Sequence, residues 1–192
     1  MLRIGSDETL KGDTFGGLVV AGVFCDDSMR QKLSVSGIAD SKKILDKNIP
    51  LLAKRITDLC PYVVKELYPK EYNETTQTLA MNTLHKACCD ELKSIVNTSE
   101  KVLHIVDKYP GCAVGDIIET KAEDKYIEVA AASIIARKRA LEQFAKLESE
   151  AGFRVPKGST HVQEGLAQLK QSGKDPSLFV KLHFKNVQKA LF

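Results

Sequence analysis

The chain has 192 residues, 43% of them hydrophobic, which is enough for one sizeable core and too few for several large domains. Its 28 Lys and Arg against 25 Asp and Glu leave a net charge of +3, too small by itself to mark a polyanion-binding protein, so local charge has to decide that question. Five cysteines without a C-x-x-C spacing fit neither a zinc site nor a disulfide framework and point to a reducing setting. No apolar run approaches the roughly 20 residues of a membrane helix, and no signal-peptide pattern opens the chain. One cytoplasmic, monomeric domain over residues 1–192 is expected.

Residues 2–8 (Leu-Arg-Ile-Gly-Ser-Asp-Glu) read as a short strand carrying two adjacent carboxylates, Asp7 and Glu8, before a glycine-bearing turn at 9–17. Neighbours on a strand point to opposite faces, so both acids serve one site only if the strand ends there and the backbone bends. Gly17 to Phe24 is a β-branched apolar run, a buried strand that forms a hairpin with the first. After a polar stretch at 28–36 comes Asp40-Ser41-Lys42-Lys43. Asp46 then opens a helix with Ile49, Leu52, Ala53, Ile56 and Leu59 at helical spacing, ending before Pro61.

Residues 62–68 suit a strand, and a long helix is expected from Tyr72 to Val96 with Leu79, Leu84, Ala87, Cys88, Leu92 and Ile95 toward the core. Val102 to Val106 is a further apolar strand, ending at Asp107 before a Pro-Gly turn, where α/β proteins place working groups. Ile117 to Thr120 reads as an edge strand. Glu123 and Asp124 precede an Ala-rich helix over 126–149, where acids also complement the helix dipole. Helices at 162–171 and 176–182 and a basic, aromatic tail complete the chain. The fold class is α/β, a mixed central sheet flanked by helices, with a helical C-terminal part.

Asp7 with Glu8, Asp107, and Glu123 with Asp124 thus end strands or open a helix. Carboxylates brought together repel, and burying several without a cation is costly. Oxygen-only ligands favour Mg2+ or Mn2+, and two such ions about 4 Å apart are the machinery of phosphodiester hydrolysis.

In series, Asp7-Glu8 with Gly12-Asp13 and Phe15-Gly16, Asp40-Ser41-Lys42-Lys43, Asp107 after its strand, Lys121-Ala122-Glu123 before Val129 to Arg137, and Lys181-Leu182-His183-Phe184 resemble the type 2 ribonucleases H over nearly the whole chain. The Gly-Asp-x-Phe-Gly continuation, the fourth acid as glutamate, Pro156-Lys157-Gly158 and the Lys-Leu-His-Phe ending are similar to the HIII branch. The resemblance implies a ribonuclease H-like fold and metal-dependent endonucleolytic cleavage of the RNA strand of RNA/DNA hybrids, leaving 5′-phosphate and 3′-hydroxyl ends. It places the catalytic and metal-binding acids on Asp7, Glu8, Asp107 and Glu123, with Asp124 as the competing fourth ligand. Substrate contacts fall on Thr9, Leu10, Lys11 and Gly12, on Ser41, Lys42 and Lys43, on Lys157 and Ser159, and on Lys181 and His183.

Two departures from the family pattern stand out. Its Gly-x-Gly element reads Leu10-Lys11-Gly12 here, and losing the first glycine is expected to restrict the backbone beside the ribose. HIII enzymes usually carry an N-terminal substrate-binding domain, and this sequence opens directly on the core pattern. The alternatives are an HII-like nuclease that removes single ribonucleotides from DNA, which Ser159 and Thr160 in place of a tyrosine disfavour, and a hybrid-binding module with weak catalysis.

Overall fold

The computed structural model describes residues 1–38 and 44–192. Its centre is one five-stranded sheet built from β1 (Leu2–Thr9), β2 (Leu18–Cys25), β3 (Tyr62–Leu67), β4 (Val102–Asp107) and β5 (Ile117–Glu119), in the order β3-β2-β1-β4-β5. The hairpin is as expected: β1 and β2 are antiparallel, as are β2 and β3. β4 joins β1 in parallel and β5 joins β4 in parallel, so the sheet is mixed. β2 is apolar throughout and wholly buried because helices cover both of its faces.

On one face lies α5 (Ile127–Ala151), with α2 (Ile49–Leu59) beside it; on the other lies α4 (Gln77–Val96). Ala130, Ala131 and Ala132 are fully buried, and their small side chains let α5 lie close to the sheet. The contact is tightest at Gly5, where a Cβ would come within 2.4 Å of the Glu128–Val129 backbone. Any side chain there would push α5 off the strand that carries Asp7. Around this centre sit α1 (Asp27–Ser34), α3 (Pro69–Asn73), α6 (Gln163–Ser172) and α7 (Lys185–Leu191).

The sequence reading needs correction in four places. The helix expected over 72–96 is two, α3 and α4, because the Thr76 hydroxyl accepts the Leu79 N–H and starts a new helix. Leu79 and Ile95 face solvent; Leu84, Cys88 and Leu92 are buried as expected, and Ala80, Met81, His85 and Cys89 complete the buried face. The stretch at 176–182 is helical only for one turn, Pro176–Leu178, and α7 was not foreseen. Finally, β1 does not end at the carboxylates but continues through them to Thr9, pairing Asp7 with Ala21 and Glu8 with Val20. Among the described residues no helix is long and apolar enough to cross a membrane.

Candidate active site

Ladder pairing between β1 and β4 stops at Ser6 opposite Val106, and Asp7 and Asp107 are the next residues on their strands. Alternation along the strands sorts the acids by face. Ser6 reaches His85 of α4, so Asp7 points the other way, to α5, where the Ser133 hydroxyl favours its charged form. Val106 packs in the α4-side core, so Asp107 also turns to the α5 side, where its Oδ1 accepts the Ala122 N–H at 3.0 Å. That bond holds the one-turn 3-10 helix Ala122–Asp124, which carries Glu123, against the end of β4. Glu8 faces α4: its Oε2 is 3.1 Å from His85 Nε2, and its Oε1 accepts from Lys11 Nζ at 2.5 Å.

Electrostatics bind these groups into one site. Burial first, then the charge of Glu8, with a contribution from Glu123, push the Asp7 carboxyl up to about 8. Burial presses Glu8 in the same direction, but its bonds to His85 and Lys11 outweigh that, and its pKa is lowered. Burial likewise works against the charge on Lys11, and Glu8, Asp7 and Asp107 together overcome it. The Lys11 ammonium is thus paired with Glu8 and held charged by Glu8, Asp7 and Asp107 together. Of the two candidates for a fourth acid, Glu123 acts on Asp7 and has one enclosed carboxylate oxygen, whereas Asp124 is exposed.

As the side chains stand, no three His, Cys, Asp or Glu residues among those described converge on one ion-sized point. The donor set still fits a hard cation: all the acids offer oxygen, their negative charge is in excess, and a cationic side chain already sits among them.

The loop after the acids is clamped from two sides. Gly158 N–H donates to Asp13 Oδ1 at 2.6 Å, and Thr14 N–H donates back to the Gly158 carbonyl at 2.9 Å. From the C-terminal side, Lys181 Nζ donates to the carbonyls of Leu10 (2.8 Å), Asp13 (2.6 Å) and Gly16 (3.0 Å). Lys181 was expected at the substrate, and this is corrected: it is 0% exposed, its three protons are consumed by three carbonyls, and nothing remains for a phosphate. Burial lowers its pKa to about 7, against the opposing pull of the Asp13 charge. Leu10 also departs from expectation. It adopts φ 69°, the left-handed backbone that glycine would supply, and buries its side chain to hold it.

Other expected contacts lie along this loop and beside it. Lys11 and Gly12 are exposed and Thr9 is half-buried; Lys157 is exposed and donates to Asp46 Oδ2 at 2.6 Å. Ser159 is exposed, and the exposed His183 ring stacks on Tyr72 at 5.8 Å. Ser41, Lys42 and Lys43 lie outside the described residues. A cleft of about 850 Å³ between α5 and α6 is lined by Arg154, Lys157 and His161 and meets a smaller one at Leu141, Phe144 and Lys157, which leads to Thr9 and Leu10. Sequence reasoning missed Ser6, His85 and His104, whose only signal was a polar residue inside an apolar strand or helix face.

Parallel strands that splay to present acids, with a further acid at the start of the helix crossing them, define a ribonuclease H-like nuclease. The comparisons agree. Residues 4–187 match the family described as ribonuclease HII. A ribonuclease HIII of Lactococcus lactis subsp. cremoris is 32% identical over 209 residues, covering 98% of this chain and 72% of the relative. The crystal structure of Bst-RNase HIII in complex with Mn2+ superposes with a TM-score of 0.91 at 30% identity, over 100% of this chain and 69% of that one. Ribonuclease H2 from Pyrococcus horikoshii OT3 gives 0.76 at 25% identity, over 100% and 97%. The chain belongs to the type 2 ribonuclease H family and is HIII-like within it; it is a ribonuclease H hydrolase.

Proposed function

We propose that the protein cleaves the RNA strand of RNA/DNA hybrids endonucleolytically, leaving 5′-phosphate and 3′-hydroxyl ends, with Asp7, Glu8, Asp107 and Glu123 holding divalent ions, Mg2+ or Mn2+ and two in number. The observation that carries the reading is the Lys11 ammonium lying among Glu8, Asp7 and Asp107, which marks a place built for positive charge. Divalent ions bound there supply charge neutralisation at the scissile phosphate and a water activated for attack. The chain's own residues do the rest. Ser133 and Ala122 orient Asp7 and Asp107. The clamped loop at 9–16 presents Lys11 and the exposed Gly12 beside the acids, and the exposed Lys157 in the adjoining cleft offers a phosphate contact. His183 and Ser159, both exposed, are further candidate contacts.

Higher structural similarity to the HIII structure than to the H2 structure supports a preference for runs of RNA over a single embedded ribonucleotide. An end-labelled long hybrid and a DNA duplex containing one ribonucleotide, each with Mg2+ or Mn2+, test this. The long hybrid should be cut faster. Equal rates would overturn the HIII-type specificity, and binding of both without cleavage would overturn the enzyme reading.

A further inference from the structure

The Glu8 carboxylate stands on a buried chain of hydrogen bonds that runs away from the candidate site. His85 Nε2 lies 3.1 Å from Glu8 Oε2, and His85 Nδ1 lies 2.7 Å from Ser6 Oγ. The same hydroxyl lies 2.7 Å from His104 Nε2. Ser6 and His85 are 0% exposed and His104 is 4% exposed, in a face otherwise made of groups such as Ile4, Leu84, Cys88 and Val106. Enclosing two imidazoles and a hydroxyl where apolar side chains would pack is costly unless every proton has a partner.

Proton counting fixes the end of the chain at Glu8. A carboxylate only accepts, so His85 Nε2 carries a proton toward Glu8. The Ser6 hydroxyl has one proton and sits between two rings, so it donates to one and accepts from the other. One arrangement has His85 Nδ1 accepting from Ser6 and Ser6 accepting from His104 Nε2–H; the reverse has His85 Nδ1–H donating to Ser6 and Ser6 donating to His104 Nε2. Every bond then has one donor and one acceptor in either case, and the His85 Nε2–H is assigned from the hydrogen-bond pattern. The His85 ring is also held in plane, stacked on Tyr109 at 5.5 Å, while Tyr109 donates to Asn82 on the same helix.

We infer that His85 is the positioning residue of Glu8, its ring fixed by the Ser6–His104 pair, so that Oε2 is tied to α4 and Oε1 is left aimed at the cation that Lys11 now provides. This rests on the proposed role of Glu8 as a metal ligand. A carboxylate tied through one oxygen cannot turn both away from the site, and partners of this kind behind a ligand typically change metal affinity about 10–100-fold when lost.

Mn2+ binding by calorimetry, beside the thermal stability of each metal-free variant, tests the inference. His85→Leu fills the space without a donor; His85→Gln places an amide N–H at the reach of Nε2; Ser6→Ala removes one hydroxyl. Binding should weaken about tenfold or more in His85→Leu and recover to within about threefold in His85→Gln. Ser6→Ala should fall between them and serves in place of His85→Leu if that variant does not fold. Wild-type affinity in His85→Leu, or equal losses in the Leu and Gln variants that follow their thermal stability, would overturn it. Glu8→Gln separates the two levels: if it binds Mn2+ like wild type, the ligand reading itself fails. If it loses binding while His85→Leu and Ser6→Ala do not, only the positioning role fails.

Discussion

Asp7 and Asp107 occupy equivalent places on neighbouring parallel strands, one step beyond the last paired residues, Ser6 and Val106, and on the same face of the sheet. Adjacent strands lie about 4.8 Å apart, so the two side chains are held as near neighbours. The sheet, not a flexible loop, sets their separation.

The first consequence is a pH-dependent stability of the metal-free protein. Asp7 has a folded-state pKa of about 8 against an ordinary 3.8, burial being the main cause. Between those values the folded state keeps a proton that the unfolded state has lost, so stability falls as pH rises from about 4 to about 8. Asp7→Asn has no such proton. Thermal unfolding in a chelator should show the Asn variant gaining on wild type across this window, by on the order of a few kcal/mol; a pH-independent difference would contradict it.

Lys11 is paired with Glu8, so on the proposed role of Glu8 as a ligand Lys11→Met should bind Mn2+ more tightly, because the ion no longer displaces an ammonium from Glu8. The same variant should show a raised KM for hybrid, since the released ammonium is a phosphate contact. Calorimetry and steady-state kinetics check the two halves; unchanged or weaker Mn2+ affinity would count against the competition.

Lys157 and Lys181 carry the same charge and should behave differently. Lys157 is exposed, so Lys157→Ala should reduce the salt dependence of hybrid binding by roughly one phosphate contact's worth. Lys181→Met should leave the salt slope unchanged and cost about 2–4 kcal/mol of stability, because three carbonyls of the loop lose a charged donor. Binding measured over a salt series, with denaturant unfolding, distinguishes them.

For the fourth acid, Glu123→Gln should lose nearly all metal-dependent cleavage and Asp124→Asn very little. Glu123 acts on Asp7 while Asp124 is exposed. Measuring both under single-turnover conditions settles the assignment, and the reverse ranking would transfer the role.

Much of this was legible in the sequence because it is local. Apolar runs of four to eight residues became β2 and β4, and the acid ending one of them, Asp107, stands at the site. The Ala-rich segment became the helix on the sheet because its small residues permit close approach. What escaped depends on contacts between distant segments. Lys181 in a basic, aromatic tail looks like a phosphate contact, and only the fold shows it enclosed by carbonyls from the first loop. His85 and His104 sit on separate elements and acquire meaning only through Ser6 between them. Leu10 replaces a glycine, which argues for a changed backbone, yet tertiary packing holds it at positive φ. The α7 helix is short, with Val187 its one fully buried side chain, too little for a periodic signal.

The most direct measurement is Mn2+- and Mg2+-dependent cleavage of a labelled long RNA/DNA hybrid by wild type, Asp7→Asn and Asp107→Asn, each checked for folding by circular dichroism. Asn keeps the volume and, at 107, an oxygen to accept the Ala122 N–H, so both variants should fold and bind hybrid. Cleavage by wild type with either ion and none above background by either variant is the expected result. Full activity in a folded Asp7→Asn or Asp107→Asn protein would contradict a carboxylate-held metal site at the ends of β1 and β4.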